Sequence, residues 1–506
     1  MQLSAANMEQ LRSGKAEWPD QSLLNLPEKV LQFGTGVLLR GLPDYFIDKA
    51  NKQGIFNGRI VVVKSTDRGG TDAFDVQNGL YSLLERGYEA GIKTEKVIVN
   101  AAISRVLSAA THWNEILACA ENPELQVVIS NTTEVGITLV TADATADHPS
   151  SFPGKLLTFL QKRYNHFKGA SEAGMVIVPT ELITDNGAKL KAIVTELARL
   201  KNAGDDFIHW LHTANDFCSS LVDRIVPGKP AKADQKEVEA ALGYEDELMI
   251  MSETYRLWAI ETDRERTKTI LSFAQADKGV ILAKNINRFR ELKLRLLNGT
   301  HTFSCGLACL SGFRLVKDAM QDETFVAFMQ TLMLEEIAPI VSQGDIGKEA
   351  AAAFAMQVID RFRNPYIDHQ WEHIAVQYTS KMAMRNVQLI QALYQSAEQR
   401  NSNMALGFAA YLHFMKPQQL DGGKGFVNQQ GMILNDDKIS LLYKHWQQGQ
   451  AVEETIVQML ADQTIWGADL SQYPHFVTSV TDYYFQLATQ HPLTLVKTAS
   501  NQKSVA

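Results

Sequence analysis

Residues 30–41 read VLQFGTGVLLRG, which is an apolar run, two glycines one residue apart and a second apolar run. The first run has the length and composition of a buried strand, and the second continues into a helical pattern through Phe46 and Ile47. A strand, a glycine turn and a helix in this order begin a dinucleotide-binding unit, because glycines let the backbone approach a pyrophosphate at a helix N-terminus. The stretch therefore predicts a nucleotide-binding α/β domain.

The spacing of these glycines departs from the usual G-x-G-x-x-G fingerprint. Leu39 occupies the place of the third glycine, and Gly41 comes two residues later. Two glycines alone are also typical of an ordinary tight turn, so this alternative stays open on the turn alone. The predicted cofactor ligands around the turn are Phe33, Gly34, Thr35, Gly36, Val37, Leu38 and Arg40.

Further apolar runs favour a parallel sheet. Residues 59–63 read RIVVV, and similar runs occur at 97–99, 127–130 and 175–179. They alternate with helical patterns such as residues 151–167, which is typical of helices packed on a mostly parallel sheet. The predicted fold class of this part is an α/β Rossmann-like N-terminal domain.

Polar residues after two of these strands are predicted to contact the cofactor. Asp67 follows the second strand, where an acidic residue commonly binds the adenosine ribose hydroxyls and thereby favours NAD. Lys64 in the same turn would instead suit the additional phosphate of NADP, so NAD is predicted with NADP as the alternative. Asn131 and Glu134 follow the strand at 127–130, at the end where parallel sheets bind ligands. Glu134 is predicted to lie near the nicotinamide, although it is equally well explained as a carboxylate at a helix start.

The second half of the chain has a helical pattern. Strand signals almost disappear after about residue 285, so we expect an α/β domain at residues 1–285 and an all-α C-terminal domain at residues 286–506. The predicted helices cover residues 289–313, 323–341, 348–362, 378–394, 403–414 and 451–461.

The first of these helices carries Lys293, Asn298 and His301 among apolar neighbours. At about 100° per residue, Asn298 lies roughly 140° around the helix axis from Lys293, and His301 roughly 80°. The three side chains can then line one wall of a site for a small polar metabolite. The alternative is an amphipathic helix with a surface lysine and a hydrogen-bonded core histidine.

Three segments together resemble the mannitol dehydrogenase family of polyol-specific long-chain dehydrogenases. They are K-x-x-x-x-N-x-x-H at residues 293–301, VDRIVP at 222–227 and RFRNP at 361–365. The residues TEL at 180–182 replace the Cys-Asp-Asn run of mannitol-type members, which disfavours a neutral polyol as substrate. The resemblance implies NAD-linked reduction of tagaturonate to altronate, with the fructuronate–mannonate reaction or another polyol as the alternative.

The resemblance also implies catalysis without a metal. Lys293 matches the acid–base lysine of the family, and Asn298 and Asn186 are expected to stabilise the developing alkoxide as amide donors. His301 would orient the substrate. A sugar acid also needs cationic partners for its carboxylate. The predicted substrate ligands are Asp223, Arg361, Arg363 and His369.

Composition argues against several other classes of protein. The 506 residues carry a formal charge of −8 without a basic block, so a nucleic-acid partner is not expected. Neither a signal peptide nor a membrane-spanning run is evident, which predicts a cytoplasmic protein. The four cysteines form neither a zinc motif nor a disulfide framework. The oligomeric state is left open.

Two functions from other classes stay as alternatives. One is a nucleotide-sensing protein without turnover, which the presence of Lys293, Asn298 and His301 disfavours because a sensor needs no proton-transfer group. The other is lysine Schiff-base chemistry, which trapping with borohydride would reveal.

Overall fold

The structure is a computed structural model, and it describes residues 1–65, 70–132, 135–342, 346–395, 401–422 and 425–496. The chain divides into two compact units. The first unit comprises Met1–Arg86 and Lys93–Ile286, and the second comprises Gly87–Ile92 and Asn287–Ala506.

Twelve described strands lie between residues 28 and 283, and the first of them precedes the glycine turn. They are β1 (Glu28–Phe33), β2 (Arg59–Lys64), β3 (Tyr81–Glu89), β4 (Ile92–Asn100), β5 (Ile103–Ser108), β6 (Val127–Ser130), β7 (Val176–Pro179), β8 (Asp216–Phe217), β9 (Ser220–Asp223), β10 (Ile250–Ser252), β11 (Leu257–Glu261) and β12 (Val280–Ala283). Six of them make one sheet in the order β5-β2-β1-β6-β7-β8, and all neighbours in it are parallel.

This strand order places the predicted cofactor site. The chain builds the sheet outward from β1 in one direction to β5 and then from β6 in the other, so the order reverses between β1 and β6. Parallel α/β sheets bind ligands outside the carboxyl ends of the strands at such a reversal. The glycine turn follows β1 directly, and Asn131 follows β6.

Both faces of the sheet are buried, because successive side chains of each strand enter different cores. Val30 packs with Phe46, Tyr81 and Trp258 in one cluster. Its neighbour Leu31 packs in the cluster on the other face. Strands buried on both sides need mainly apolar residues, which explains the apolar IVVV run at residues 60–63 of β2. Two three-stranded sheets complete this part of the chain, in the orders β10-β3-β4 and β12-β11-β9.

Helices alternate with the strands of the first unit. Their bounds are Met8–Leu11, Val37–Gly41, Pro43–Lys52, Asp72–Val76, Trp113–Ala118, Phe152–His166, Asn186–Leu200, Asp205–Thr213, Lys232–Leu242 and Glu265–Ile270. Short 3₁₀ turns cover Gln21–Asn25, Cys119–Glu121, Thr141–Ala144, Ser171–Ala173 and Ser272–Gln275.

The second unit is mainly helical, which confirms the predicted fold class. It also contains a small antiparallel sheet that the sequence pattern did not predict, formed by β13 (Pro417–Asp421), β14 (Gly425–Asn428) and β15 (Ile433–Asn435). Its helices are Asn287–Leu292, Lys293–Gly299, Thr300–Leu310, Val316–Ala319, Glu323–Thr331, Leu332–Ile337, Ala338–Val341, Lys348–Phe362, Trp371–Ile374, Tyr378–Tyr394, Asn403–Phe414, Ile439–Trp446, Val452–Ala461, Gln463–Trp466 and Pro474–Thr489, with a 3₁₀ turn at Leu470–Gln472.

The predicted helices of this half are confirmed within a few residues, but two of them change type along their length. Lys293–Gly299 and Leu332–Ile337 are π-helical segments inside longer helices. The second lies in Glu323–Val341, which by length and composition is apolar enough to cross a membrane. Within this stretch, 56% of the most apolar 18 residues are buried inside the structure, as is common in the core helices of globular proteins.

Candidate functional site

The glycine turn of the first unit leaves its backbone open on one side and closely packed on the other. Gly34 has a φ of +129°, and a Cβ there would lie 2.8 Å from the Asn131 backbone oxygen. At Gly36 a Cβ would meet nothing within 4 Å. Thr35, Val37 and Leu38 are partly exposed beside it. The turn therefore offers accessible backbone at the reversal of the sheet, as a bound pyrophosphate requires.

Two residues predicted to bind the cofactor lie in the core instead. Arg40 is buried and donates through Nη1 to the Leu248 oxygen, 2.6 Å away, with its guanidinium over the Tyr81 ring. The side chain of Phe33 is fully buried and packs against Phe152, with ring centroids 5.0 Å apart. Both side chains are engaged in the core, so they do not support a side-chain contact with the cofactor, and the cofactor-binding role of the two residues stays a prediction.

The residues after β6 and β7 are joined by hydrogen bonds. Asn131 Nδ2 donates to the backbone oxygen and hydroxyl of Thr180, at 3.2 and 3.0 Å. Glu181 is buried and accepts from Thr132 N and Oγ1, at 2.9 and 3.0 Å. These bonds fix the edge of the sheet where Asn131 was predicted to act. Asp67 and Glu134 lie outside the described residues.

Asn186 is not available to act on a substrate oxygen. It is fully buried, and its Nδ2 donates to the backbone oxygens of Pro179, Glu181 and Ser220, at 3.0, 3.0 and 3.2 Å. Its Oδ1 accepts from Gly187 N and Ser220 N, both at 2.9 Å. A side-chain amide has two N–H donors, so these contacts use its capacity. The predicted catalytic role is corrected to a structural one.

The segment at 222–227 supports the glycine turn. Arg224 is buried, pairs with Glu85 at 2.6 Å and donates to the Gly41 oxygen at 2.7 Å. Its hydrogen bond to Gly41 therefore stabilises the end of the helix that follows the glycine turn, and Glu85 balances its buried charge. Asp223 is buried at the end of β9, in register with Leu257 of β11. Its substrate-binding role stays a prediction.

In the second unit, the π-helix changes the arrangement expected for Lys293 and Asn298. Hydrogen bonds in a π-helix join residues five apart rather than four, so one turn contains more residues. Lys293 and Asn298 are five apart, and both lie in the π-helical segment. They are therefore about one turn apart on one face, closer than the α-helical estimate of roughly 140°. Both side chains are half-buried.

His301 lies in a buried aromatic and cationic environment. Its ring stacks on Phe362, with centroids 4.0 Å apart, and meets His369 and Trp371 edge-on at 5.1 and 5.9 Å. Burial, followed by nearby positive charges and His369, holds the pKa of His301 well below its usual range. The ring is therefore neutral near pH 7. Its Nε2 is buried and has no hydrogen-bond partner among the described residues.

Two cations beside His301 were missed in the sequence. Lys381 and Arg385 lie one turn apart on the helix Tyr378–Tyr394, and both lower the pKa of His301. Burial lowers the pKa of Lys381, as does the charge of Arg385. Burial also lowers the pKa of Arg385 to about 10, with no described carboxylate as an offsetting cause. The signal was two basic residues four apart on a helix with apolar neighbours.

Of the predicted carboxylate ligands, the structure groups Arg361 and His369 with this cluster. Arg361 is buried, and its charge also lowers the pKa of His301. Arg363 instead lines a separate cavity of about 710 Å³ with Lys317 and Tyr88, which His301 does not line. Residues two apart on a helix point about 200° away from each other, so adjacent arginines at one helix end face different surroundings. The prediction for Arg363 is therefore corrected.

A hydrogen-bond chain connects the cations to the π-helix. Arg385 Nη1 donates to Thr302 Oγ1 at 3.1 Å, and Thr302 Oγ1 donates to the Asn298 oxygen at 2.8 Å. Within the described ranges, no group of three or more His, Cys, Asp or Glu residues is placed to hold a metal ion. The cluster thus contains a lysine, an amide, a neutral histidine and several cations. The cations suit an anionic group and the other side chains suit hydroxyl groups, so the cluster is suited to an anionic hydroxylated molecule.

Two family models match the chain in succession. The mannitol dehydrogenase Rossmann domain matches residues 28–271, and the mannitol dehydrogenase C-terminal domain matches residues 285–488. An altronate oxidoreductase of Bacillus subtilis is 35% identical over 461 residues, covering 90% of this chain and 92% of that protein. The altronate oxidoreductase of Phocaeicola vulgatus is 33% identical, with 90% and 93% covered.

Solved structures show the same fold at lower identity. The ternary complex of Pseudomonas fluorescens mannitol 2-dehydrogenase with NAD and D-mannitol has a TM-score of 0.67 at 22% identity, covering 99% of this chain and 100% of that one. A substrate-free D-sorbitol dehydrogenase has a TM-score of 0.77 at 18% identity, covering 98% and 100%. The sequence matches confirm the resemblance drawn from the three motifs, and the chain belongs to the mannitol dehydrogenase family of oxidoreductases.

Proposed function

We propose that this protein catalyses the NAD-linked, reversible reduction of tagaturonate to altronate. The observation that carries the proposal is the group of cations around His301, since a neutral polyol gives no reason to place the half-buried Lys381 and Arg385 together beside it. The relatives named altronate oxidoreductase, at 32–35% identity over 90% of the chain, support the same substrate. We also propose a cytoplasmic location.

NAD is the cofactor that the first unit suits. The open backbone at Gly36 and the close packing at Gly34 fit a pyrophosphate held at the reversal of the sheet. We assign Gly34, Thr35, Gly36, Val37 and Leu38 to cofactor binding, with Asn131 at the neighbouring strand end. When bound, the reduced cofactor supplies the hydride for the ketone carbon, and its oxidised form accepts that hydride in the reverse reaction.

The residues of the second unit would handle the oxygen and the proton. Protonated Lys293 donates its proton to the oxygen of the ketone as that oxygen becomes an alkoxide, and takes it back during oxidation. Asn298, on the same face of the π-helix, donates a hydrogen bond to this oxygen, a bond that strengthens as negative charge develops.

The remaining groups would bind the other end of the substrate. Neutral His301 has an Nε2 atom free of protein partners among the described residues, so it can hydrogen-bond a substrate hydroxyl. Lys381, Arg385 and Arg361 offer positive charge for the carboxylate. His369 completes this wall as a hydrogen-bonding ring.

Substrate and cofactor are tested together by following NADH consumption with tagaturonate, fructuronate, fructose and mannonate, and again with NADPH. Mannonate, already reduced, is the negative control in this direction. We expect tagaturonate with NADH to give the highest kcat/KM. A preference for fructuronate would move the assignment to the epimeric reaction, and a preference for fructose would remove the role given to the cations.

The acid–base role of Lys293 is tested by Lys293→Ala. We expect turnover to be lost while NADH affinity, measured by fluorescence titration, stays unchanged, because the residue lies in the second unit. Lys284→Ala is a control, since Lys284 is exposed and precedes the catalytic helix. Wild-type turnover in Lys293→Ala would refute the role.

A further inference from the structure

The π-helical form of Lys293–Gly299 needs support from outside the segment. π-Helices are rare and occur mostly as short insertions in α-helices, often at functional sites. The segment continues into α-helix on both sides, at Asn287–Leu292 and Thr300–Leu310. Without external contacts, the same residues would favour the commoner α-helical hydrogen bonds.

The helix Tyr378–Tyr394 supplies contacts at both ends of the segment. Asn386 is fully buried, and its Nδ2 donates to the Gly299 oxygen at 3.2 Å. Arg295 Nη1 donates to the Arg385 oxygen at 2.6 Å, and Arg295 Nη2 donates to Gln388. The contacted helix is the one that carries Lys381 and Arg385, so one element supports both the π-helix and the cationic cluster.

The fit between Asn386 and Gly299 is close. A Cβ on Gly299 would lie 2.9 Å from Asn386 Oδ1, which leaves no room for a larger residue at 299 while Asn386 keeps its position. Asn386 Oδ1 itself is buried and has no hydrogen-bond partner in the described chain. A buried acceptor without a partner costs stability, so a purely structural role would not favour asparagine at this position.

We propose that Asn386 is a positioning residue that keeps Lys293–Gly299 π-helical, so that Lys293 and Asn298 present their side chains on one face. The inference rests on the proposed function only for the roles of Lys293 and Asn298. If the segment relaxed to an α-helix, the two side chains would move apart around the axis toward roughly 140°. A ketone oxygen would then lose either its proton donor or its amide.

The test compares Asn386→Leu with Asn428→Leu in the full-length protein. Asn428 is a matched control because it is also fully buried and donates to a backbone oxygen, that of Phe414 at 3.1 Å. We expect Asn386→Leu to lower kcat about 100-fold, the scale of a misplaced catalytic group, with KM for NADH and the melting temperature unchanged. Unlike Asn386, Asn428 also accepts through Oδ1 from Gln430 N at 3.1 Å and Met432 N at 2.9 Å, so Asn428→Leu should lower the melting temperature and leave kcat unchanged.

Hydrogen exchange of the amides of residues 293–302 gives a readout without activity. The pattern of protection along these residues should differ between Asn386→Leu and the wild type, because a change from π- to α-helical hydrogen bonds gives the amides different acceptors. An unchanged kcat or an unchanged protection pattern would overturn the inference. If wild-type protein turns over none of the uronates, the proposed substrate fails, and the exchange comparison still decides the π-helix. Should Asn386→Leu not fold, Gly299→Ala displaces the same amide and must give the same loss of kcat.

Discussion

Lys381→Met is the variant that separates recognition of an acid from recognition of a sugar. Lys381 is half-buried, donates to the Ile374 oxygen at 3.0 Å and has its pKa lowered by burial and by Arg385. Methionine keeps most of the side-chain volume and removes the charge. A hydrogen bond to a charged group contributes about 2 kcal/mol, which corresponds to roughly 30-fold in kcat/KM.

The effect should be specific to the anionic substrate. We expect kcat/KM for tagaturonate to fall by about 30-fold, mainly through KM, because Arg385 and Arg361 still hold the carboxylate. The value for tagatose, which lacks the carboxylate, should not change. Steady-state NADH oxidation with both sugars measures the two constants in the same assay.

Lys317→Met is the matched control. Lys317 is also a half-buried lysine of the second unit, but it pairs with Asp368 at 2.5 Å and donates to the Pro365 oxygen at 2.8 Å. It should leave both substrates unaffected. Equal losses for tagaturonate and tagatose in Lys381→Met, or an equal loss in Lys317→Met, would refute the carboxylate role.

Three further predictions concern the glycine turn, a buried carboxyl and the hydrogen-bond chain. Gly34→Ala should lower the melting temperature, because residue 34 has a φ of +129° and its Cβ would lie 2.8 Å from the Asn131 oxygen. Gly36→Ala should fold normally and weaken NADH binding in a fluorescence titration, because a Cβ there meets nothing within 4 Å. Equal melting temperatures for the two variants would contradict this difference. Burial raises the pKa of Asp44 from 3.8 to about 8, so the folded protein favours the protonated carboxyl. The stabilisation of the folded state by this group is complete below about pH 4 and is lost as the pH rises to 8. Between pH 4 and 7 the loss is about 4 kcal/mol, at about 1.4 kcal/mol per pH unit. The unfolding free energy of the wild type should therefore decline by that amount relative to that of Asp44→Asn. A difference between the two proteins that does not change with pH would exclude the raised pKa. Thr302→Val removes the hydroxyl between Arg385 and the Asn298 oxygen and should lower kcat, while Thr302→Ser should restore it; failure of serine to restore kcat would point to packing instead.

The sequence by itself determined the fold class and the approximate bounds of the helices. The apolar run of β2 has to be buried on both faces, which requires a sheet covered on both sides. A glycine turn directly after the first strand of such a parallel sheet is typical of a dinucleotide-binding domain. The motifs at 222–227, 293–301 and 361–365 also identified the family, because residue type and spacing carry that information directly.

The tertiary structure decided how individual side chains are used. Sequence patterns did not reveal that the Asn186 amide donates to three backbone oxygens, or that Arg40 lies in the core. The Ser220 oxygen that accepts from Asn186 and the Leu248 oxygen that accepts from Arg40 are distant along the chain. The same holds for Lys381, which reaches His301 only through helix packing.

The clearest difference lies in the segment that carries Lys293. Its sequence specifies a helix, but the choice between α- and π-helical hydrogen bonds involves a small difference in local free energy. Hydrogen bonds to another helix are large enough to change this balance. In this protein they join Asn386 to the Gly299 oxygen and Arg295 to the Arg385 oxygen. The sequence thus pointed to Lys293 and Asn298 as candidates, and only the structure placed both in one π-helical segment.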